Sequence, residues 1–201
     1  IEAWDEDSNN AWSQNRNLHF RNKMVEFSVS GEINYIDHVM GNTDNRLTGY
    51  LTAGIAYFTH DPEAKDSYGN WHPLQPLGTE GQGWTFGNDP YKLNGIALPF
   101  GMGFKVNLGP AIAFQMEWGL RKTWTDYLDD VSTSYVNPVE LRQARGELAL
   151  EMADRILDLP DDLPHSQGLQ RGDPGLDDKY GYFLASIAFR VSKKPTSCWE
   201  Q

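Results

Sequence analysis

The sequence predicts an all-β fold, an antiparallel transmembrane β-barrel with one helix in a long outer loop. Five segments alternate between apolar and polar residues, and short turns alternate with long loops between them. Each segment is roughly 12–18 residues long, whereas soluble strands typically have ~5–6 residues and tilted membrane-spanning strands need ~9–11. The length of the segments therefore favours strands that cross a membrane.

The composition argues against two other classes of protein. The 201 residues include 17 Lys and Arg against 28 Asp and Glu, which gives a formal net charge of −11. A nucleic-acid-binding protein needs a basic face, so this class is disfavoured. The longest run without a charged side chain is Leu47 to His60, which is shorter than the ~18 residues of a transmembrane helix.

The first three segments are Met24–Ile36, Leu47–Phe58 and Leu93–Val106. In each segment, large apolar residues take every second position, and small or polar residues take the positions between them. This period of two is typical of β-strands that have one apolar and one polar face. Pro99 cannot donate a ladder hydrogen bond, so we expect a local irregularity in the third strand.

The last two segments are Ala111–Leu128 and Tyr180–Ser192, and they follow the same alternation. About ten residues around Gly41 join the first two segments, and a tight turn at 107–110 joins the third and fourth. The remaining connections are long, at 59–92 and 129–179. Outer-membrane barrels have short periplasmic turns and long outer loops, so this asymmetry supports the prediction of a barrel.

This orientation predicts which residues face the periplasm and which lie outside. Residues 1–23 are expected in an outer loop, and residues 193–201 are expected to form a periplasmic tail that carries the single cysteine, Cys198. The residues predicted to face periplasmic partners lie in the short turns and this tail. They are Asp37, Arg46, Asn107, Lys193 and Lys194.

A helix is predicted over Pro138 to Leu157, within the last long loop. Asn137 is a favourable N-cap, Pro138 takes the first helical position, and Glu140 completes an arrangement that resembles a capping box. Apolar residues recur along one face of this segment. The helix is expected either to cap its own barrel or to dock a partner, and the sequence leaves both open.

Charged and amide side chains recur on the strand faces that we assign to the interior. Inside a narrow barrel these groups are expected to pair and to plug the lumen, because about eight strands leave room only for side chains. An open ion pathway and a glycosidase pair of acids are both disfavoured. The predicted lumen charge network consists of Glu26, Glu32, Lys105, Gln115, Glu117, Arg121 and Arg190.

Aromatic residues lie along the strands and near their ends. In a membrane barrel they would form the two interfacial girdles, and in a soluble barrel they would belong to the core and rim. The spacing does not separate these interpretations. The predicted aromatic girdle consists of Tyr35, Tyr50, Tyr57, Trp118, Trp124, Tyr127 and Tyr182.

No catalytic, cofactor-binding or metal site is predicted. His60, Glu63 and Ser67 are the conceivable catalytic set, but their spacing fits no mechanism, and the glycine-rich run 78–83 lacks the Lys-Ser/Thr of a phosphate loop. Acidic residues crowd two stretches and are expected to be solvated, with Ca²⁺ binding as the alternative. They are Asp126, Asp129, Asp130, Asp161, Asp162, Asp173, Asp177 and Asp178.

Several strings of the sequence, taken together and in this order, resemble one known family. They are RNLHFRNKMVEFSVSGEINY, LQPLGTEGQG, IALPFGMGFK, EWGLRKTWTDYLDDVSTSYVNP, LQRGDP and YGYFLASIAFRV. They resemble the PorG-type outer-membrane β-barrel family of Bacteroidota, a component of the type IX secretion system and gliding-motility machinery. The resemblance extends from about Asn17 to Val191.

The resemblance implies a barrel of about eight strands, without catalytic residues or cofactors, made after a signal peptide is cleaved. It implies a scaffold that ties a periplasmic ring, of the PorK/PorN or GldK/GldN type with its lipoprotein, to the outer membrane. Family members carry roughly three more strands before the segment that matches Asn17, so we expect further strands to precede this chain. A lipid-modifying barrel enzyme, a soluble ligand-binding barrel and a surface-binding barrel with acidic loops are the alternatives.

Overall fold

The structure is a computed structural model that describes residues 1–42, 44–160 and 165–191. It confirms an all-β fold that consists mostly of antiparallel sheet. The sheet contains seven strands within the described residues. The strands are β1 (Glu2–Trp4), β2 (His19–Asn34), β3 (Leu47–Lys65), β4 (Trp71–Pro73), β5 (Asn94–Asn107), β6 (Ile112–Thr123) and β7 (Lys179–Phe189).

The strands follow the order β1-β2-β3-β5-β6-β7, and β4 pairs with β3 as a third partner beside β2 and β5. The antiparallel register between β6 and β7 runs from Ile112 opposite Phe189 to Lys122 opposite Lys179. At the other end of the order, β1 pairs with the first residues of β2. The described sheet therefore ends on β1 and β2 at one side and on β7 at the other.

All five predicted segments are strands, but three of their boundaries differ by five residues or more. The strand β2 already begins at His19, within the stretch 1–23 that is predicted to be an outer loop and that also contains β1 and a short helix. The strand β3 continues to Lys65, because its last residues pair with β4 from Glu63 opposite Pro73 to Lys65 opposite Trp71. The strand β6 ends at Thr123, where the Thr123 hydroxyl donates a 2.7 Å hydrogen bond to the carbonyl oxygen of Asp178. The chain then leaves the sheet five residues before the predicted end.

The described helices are α1 (Ala11–Arg16), α2 (Pro138–Arg145) and α3 (Glu147–Ala153). The prediction of one continuous helix to Leu157 is wrong, because Gly146 has φ +88° and ψ 178° and separates α2 from α3. The predicted N-cap is confirmed, since the Asn137 side chain accepts hydrogen bonds from the N–H groups of Val139 and Glu140. A glycine with positive φ is favoured at such a break because it has no Cβ.

The chain divides into two compact units. Unit 1 consists of Ile1–Phe27, Tyr57–Ile96 and Thr123–Asp178, and unit 2 consists of Ser28–Ala56, Ala97–Lys122 and the segment that begins at Lys179. Unit 1 contains the three helices and two small apolar clusters. One cluster is built around Leu141, Ala149 and Ala153, and the other around Ala64, Leu74 and Met152.

Candidate functional site

The strands of unit 2 expose their apolar faces. In β5, the side chains of Leu98, Phe100 and Met102 are 41–54 % exposed, whereas Ala97, which precedes them, is fully buried. The same pattern holds in β3, where Leu47, Leu51 and Ile55 are exposed and alternate with buried or partly buried residues. Soluble sheets bury the apolar face of such strands, so this arrangement is the inverse of the usual pattern.

The exposed set extends over all five long strands of the sheet. Single large apolar side chains on a protein surface are normal. A contiguous set of them is typical of a surface that binds a membrane, another protein or a ligand. Further exposed members in unit 2 are Val29, Ile33, Phe104, Ile112, Trp118, Phe183, Ile187 and Phe189.

The opposite face of unit 2 carries a hydrogen-bond network around Glu117. The Tyr50 hydroxyl donates a 2.8 Å hydrogen bond to Oε2 of Glu117, and the Tyr182 hydroxyl donates to Oε1 of the same carboxylate. Gln115 donates from Nε2 to the Tyr50 hydroxyl at 2.5 Å. The Tyr50 hydroxyl therefore links two residues of the predicted charge network, Gln115 and Glu117.

Three further members of the predicted charge network contact this face. Lys105 forms an ion pair with Glu32, and its Nζ lies 4.7 Å from the ring centroid of Tyr50. The guanidinium of Arg121 lies over the ring of Tyr182 at 4.4 Å. A cation over an aromatic face is attracted by the ring quadrupole, so both tyrosines also stabilise positive charge.

The two remaining residues of that set lie elsewhere. Glu26 is partly buried on the portion of β2 that belongs to unit 1. Arg190 follows β7 in unit 2, and its backbone N–H donates a 2.9 Å hydrogen bond to the carbonyl of Ala111. The structure thus groups five of the seven predicted residues around Tyr50 and Tyr182.

Two glycines make room for these tyrosine rings. A Cβ at Gly119 would overlap the ring of Tyr182, and a Cβ at Gly103 would approach the ring of Tyr50 to 2.6 Å. Each ring therefore packs against the backbone of a neighbouring strand. This close approach explains why glycine occupies these two positions of β5 and β6.

The predicted aromatic girdle is corrected at three positions. Tyr50 is only 3 % exposed, and Tyr182 donates a hydrogen bond to Glu117. Both therefore lie on the face of the sheet that carries the Glu117 network, here called the covered face, because their strand positions point away from the apolar side. Tyr127 lies in unit 1 after β6 and stacks on Tyr91 with ring centroids 4.5 Å apart. The other four residues are exposed, namely Tyr35, Tyr57, Trp118 and Trp124.

The two short turns of unit 2 are joined by Asn107. Its Nδ2 donates hydrogen bonds to the carbonyls of Val39 at 3.0 Å and Asn42 at 3.1 Å, and its backbone N–H donates to the carbonyl of Arg46 at 2.7 Å. Asn107 is buried, so the prediction that it faces a partner is wrong. Asp37 and Arg46 are exposed, as a partner-facing role requires.

The other two predicted partner-facing residues, Lys193 and Lys194, lie outside the described residues, as does the rest of the predicted tail 193–201 with Cys198.

Three large apolar side chains are exposed at the described turns. They are Ile36, Val39 and Leu108.

Unit 1 contains a buried ionic cluster that the sequence analysis missed. Arg171 donates from Nη1 to Oε1 of Glu80 at 2.9 Å, and its Nη2 lies 3.6 Å from Oδ2 of Asp130. All three side chains are at most 1 % exposed. The Glu80 carboxylate also accepts hydrogen bonds from the N–H groups of Ser132 and Thr133.

Asp130 is held by neutral donors as well as by the arginine. Thr79 and Tyr91 donate hydroxyl hydrogen bonds to its carboxylate at 2.5 and 2.7 Å. Burial raises the pKa of Asp130 to about 6, because desolvation outweighs the attraction of the Arg171 guanidinium. Burial opposes the charge of Arg171, but the carboxylates of Glu80 and Asp130 prevail and raise its pKa above the ordinary value.

This cluster joins three stretches of sequence that are far apart in the chain. Glu80 belongs to LQPLGTEGQG, Asp130 to LDDVS and Arg171 to LQRGDP, which are among the strings that carry the family resemblance. The sequence signal was therefore present as distinctive strings, but it did not show which residues pair. Burial of paired charges is expected to define the arrangement of the loops rather than to perform chemistry.

The conceivable catalytic set of His60, Glu63 and Ser67 is not assembled. Glu63 forms ion pairs with Arg21 and Lys23, and its pKa is lowered because these cations outweigh its burial. The His60 ring contacts the Asn22 amide and the Lys92 carbonyl, whereas the Ser67 N–H donates to Glu151. Each of the three residues has other partners.

Within residues 1–42, 44–160 and 165–191, no group of three or more His, Cys, Asp or Glu residues is arranged to hold a metal ion. Asp161 and Asp162, part of the acidic set considered for Ca²⁺, lie outside these residues. Across the described part of the chain, no helix combines the length and the apolar character that a membrane crossing demands.

The beginning of the chain matches the model of a known protein family. The model of a domain of unknown function, DUF6089, matches residues 1–69, which is about a third of the chain. No curated protein matches the chain. No solved structure matches it either.

Proposed function

We propose that this protein is a non-enzymatic outer-membrane β-barrel that serves as an anchor in a protein-export assembly. One observation carries the proposal: the long strands in unit 2 expose large apolar side chains at alternate positions, as in Leu98, Phe100 and Met102. A transmembrane barrel needs such an outward apolar band with polar residues on the inner face.

The covered face supports the same proposal. The Glu117 network and the Lys105–Glu32 pair satisfy charged groups with tyrosines, an amide and an opposite charge. Buried polar groups are tolerated inside a barrel only when they are hydrogen-bonded. The exposed Tyr35, Tyr57, Trp118 and Trp124 are the aromatic residue types that membrane interfaces favour.

The role in export rests on the resemblance to the PorG-type family of the type IX secretion and gliding-motility machinery. In this proposal the partners are the lipid bilayer and a periplasmic ring with its lipoprotein, of the PorK/PorN or GldK/GldN type. The turns joined by Asn107 would lie on the periplasmic side, and exposed Asp37 and Arg46 would contact the ring.

The test is fractionation followed by co-purification from the native host. We expect the tagged protein to sediment with outer membranes, to require detergent for extraction, and to co-purify with a lipoprotein and ring-forming periplasmic proteins. Release by a detergent-free buffer after cell lysis would contradict the membrane assignment. Extraction as a solitary membrane protein would contradict the anchoring role and leave the membrane assignment standing.

A further inference from the structure

Unit 1 contains a cavity of about 260 Å³. This volume equals that of about nine water molecules at ~30 Å³ each, which suits a small organic ligand. Apolar side chains from separate stretches of the chain form much of its wall, and all of them are largely buried. These side chains are Leu18, Ala64, Leu74, Val131 and Met152.

Both arginines that line the cavity are already neutralised. Arg16 donates from Nε and Nη2 to the two carboxylate oxygens of Asp5, at 2.7 and 2.8 Å. Arg171 is paired with Glu80 and Asp130 in the buried cluster. An anionic ligand would therefore find no unmatched guanidinium in this wall.

Asp129 is the one lining carboxylate without a matching cation in the described part of the chain. Its Oδ1 accepts a 3.0 Å hydrogen bond from the backbone N–H of Val131, and no described Lys, Arg or His lies within the 4.0 Å of an ion pair. The cavity therefore combines an apolar wall with one carboxylate that has no ion-pair partner, and the Arg16 and Arg171 guanidiniums attract this carboxylate only from beyond ion-pair distance. A ligand with a cationic group would supply the ion-pair partner that the Asp129 carboxylate lacks.

The aromatic part of the wall contains Trp4 and His19, and the Lys65 ammonium already lies 5.3 Å from the centroid of the Trp4 ring. Trp4 lines the cavity and stacks on His19 with ring centroids 4.3 Å apart. The Nε2 of His19 accepts a hydrogen bond from the backbone N–H of Lys65, and burial lowers the pKa of His19 to about 4. The imidazole is therefore neutral at pH 7 and does not repel a positive ligand.

We propose that this cavity binds a small aliphatic primary amine, with the ammonium group on the Asp129 carboxylate and the apolar body against Leu74, Val131 and Met152. The site lies within unit 1, so it does not depend on the proposed membrane role. The limited volume restricts the ligand to a free small molecule.

Binding is coupled to the ionisation of Asp129. Burial, and then the nearby Asp178 carboxylate, raise the pKa of Asp129 to about 8 against the opposing effects of the Val131 N–H and of the Arg16 and Arg171 guanidiniums, so its empty-site form at pH 7 is mostly protonated. An ammonium group favours the ionised carboxylate. Amine binding at pH 7 therefore releases up to one proton, and the affinity rises as the pH increases from 6 to 8.

The test is calorimetric titration of the full chain, in detergent, with cyclohexylmethylamine and its neutral isostere cyclohexylmethanol. We expect saturable binding of the amine at one site, at least tenfold tighter than the alcohol. The binding enthalpy measured in buffers of different ionisation enthalpy should report proton release at pH 7. Equal affinity for the two compounds, or no saturable binding of the amine, would overturn the proposal.

Two variants complete the test. Asp129→Asn should weaken amine binding at least tenfold and leave the alcohol unchanged, whereas Asp173→Asn, which changes an exposed carboxylate in the same unit, should leave both unchanged. Undiminished amine binding by Asp129→Asn would overturn the proposal. If that variant does not fold, the comparison of amine and alcohol on the unaltered protein and the proton release decide the question.

Discussion

The guanidinium of Arg171 lies 2.9 Å from the carboxylate of Glu80, and the two side chains are 1 % and 0 % exposed. Removal of one partner from such a pair leaves an uncompensated charge in a medium that solvates it poorly. The pair joins two loops that are separated by 91 positions in sequence. It is the part of unit 1 on which substitutions should have the largest effect.

Arg171→Met is expected to destabilise unit 1 by about 3–5 kcal/mol, because Glu80 and Asp130 lose their buried counter-charge. Arg142→Met is the matched control, since Arg142 pairs with Glu147 while both side chains are more than half exposed. Exposed pairs contribute about 0–1 kcal/mol. Thermal unfolding and limited proteolysis of the loops measure the difference, and equal effects of the two variants would contradict the assigned role of the cluster.

Asp129→Asn is expected to change how stability depends on pH. The folded-state pKa of about 8 lies above the ordinary aspartate value, so the unfolded state releases its proton first as the pH rises. Unfolding free energy therefore falls between about pH 4 and pH 8 because of this group. Asn lacks this titration, so the variant should be more stable than the unaltered protein at pH 8 by about 1 kcal/mol or more.

At about pH 3 the Asp129→Asn substitution is expected to have little effect, because the carboxyl group of the unaltered protein is then mostly protonated in both the folded and the unfolded state. The measurement is the unfolding temperature of both proteins across this pH range. A parallel pH dependence of the two proteins would show that Asp129 is not the titrating group.

Gly119→Ala is expected to destabilise unit 2 by about 1–3 kcal/mol, because the added methyl group overlaps the ring of Tyr182. Gly109→Ala is the control, since a Cβ at Gly109 meets nothing within 4 Å and the backbone there is not in the left-handed region. The readout is the midpoint of thermal unfolding in detergent. Tolerance of both substitutions would mean that the ring of Tyr182 does not rest on β6.

Phe100→Arg is expected to impair insertion into a bilayer, because Phe100 belongs to the exposed apolar face of β5. An arginine on the lipid face of a barrel costs about 2–4 kcal/mol at the bilayer midplane. Phe86→Arg makes the same change at an exposed position in the long connection between β4 and β5, where no cost is expected. Folding yields into lipid vesicles compare the two, and equal yields would contradict the membrane assignment.

The strands and their faces were largely predictable from the sequence. In β3 and β5 the predicted apolar and polar faces correspond to the observed exposed and covered faces. The reason is local, since successive side chains of a strand point to opposite sides whatever the strand pairs with. The same alternation places Tyr50 on the covered face, beside Thr48 and Thr52. The prediction that Tyr50 belongs to the girdle relied on its being a tyrosine, whereas its position in the strand gives the correct face.

Other features needed knowledge of the surroundings. The apolar spacing along 138–157 is helical, but the conformation of Gly146 divides the segment, and only the packed structure shows the break. In the sequence Asn107 resembles an ordinary turn residue. In the structure its side-chain amide donates hydrogen bonds to a second turn, which lies nearly seventy positions earlier in the chain. Turn-forming side chains have no local signal for such long-range partners.

The sequence by itself determined where the long strands run and which of their faces is apolar, because both properties depend on the two-residue period of an extended chain. Only the tertiary structure decided that Glu80, Asp130 and Arg171 meet, that Tyr50 and Tyr182 share Glu117, and that Asp129 lines a cavity. These relationships join residues from distant loops and strands. They depend on how the loops pack, which no periodicity encodes.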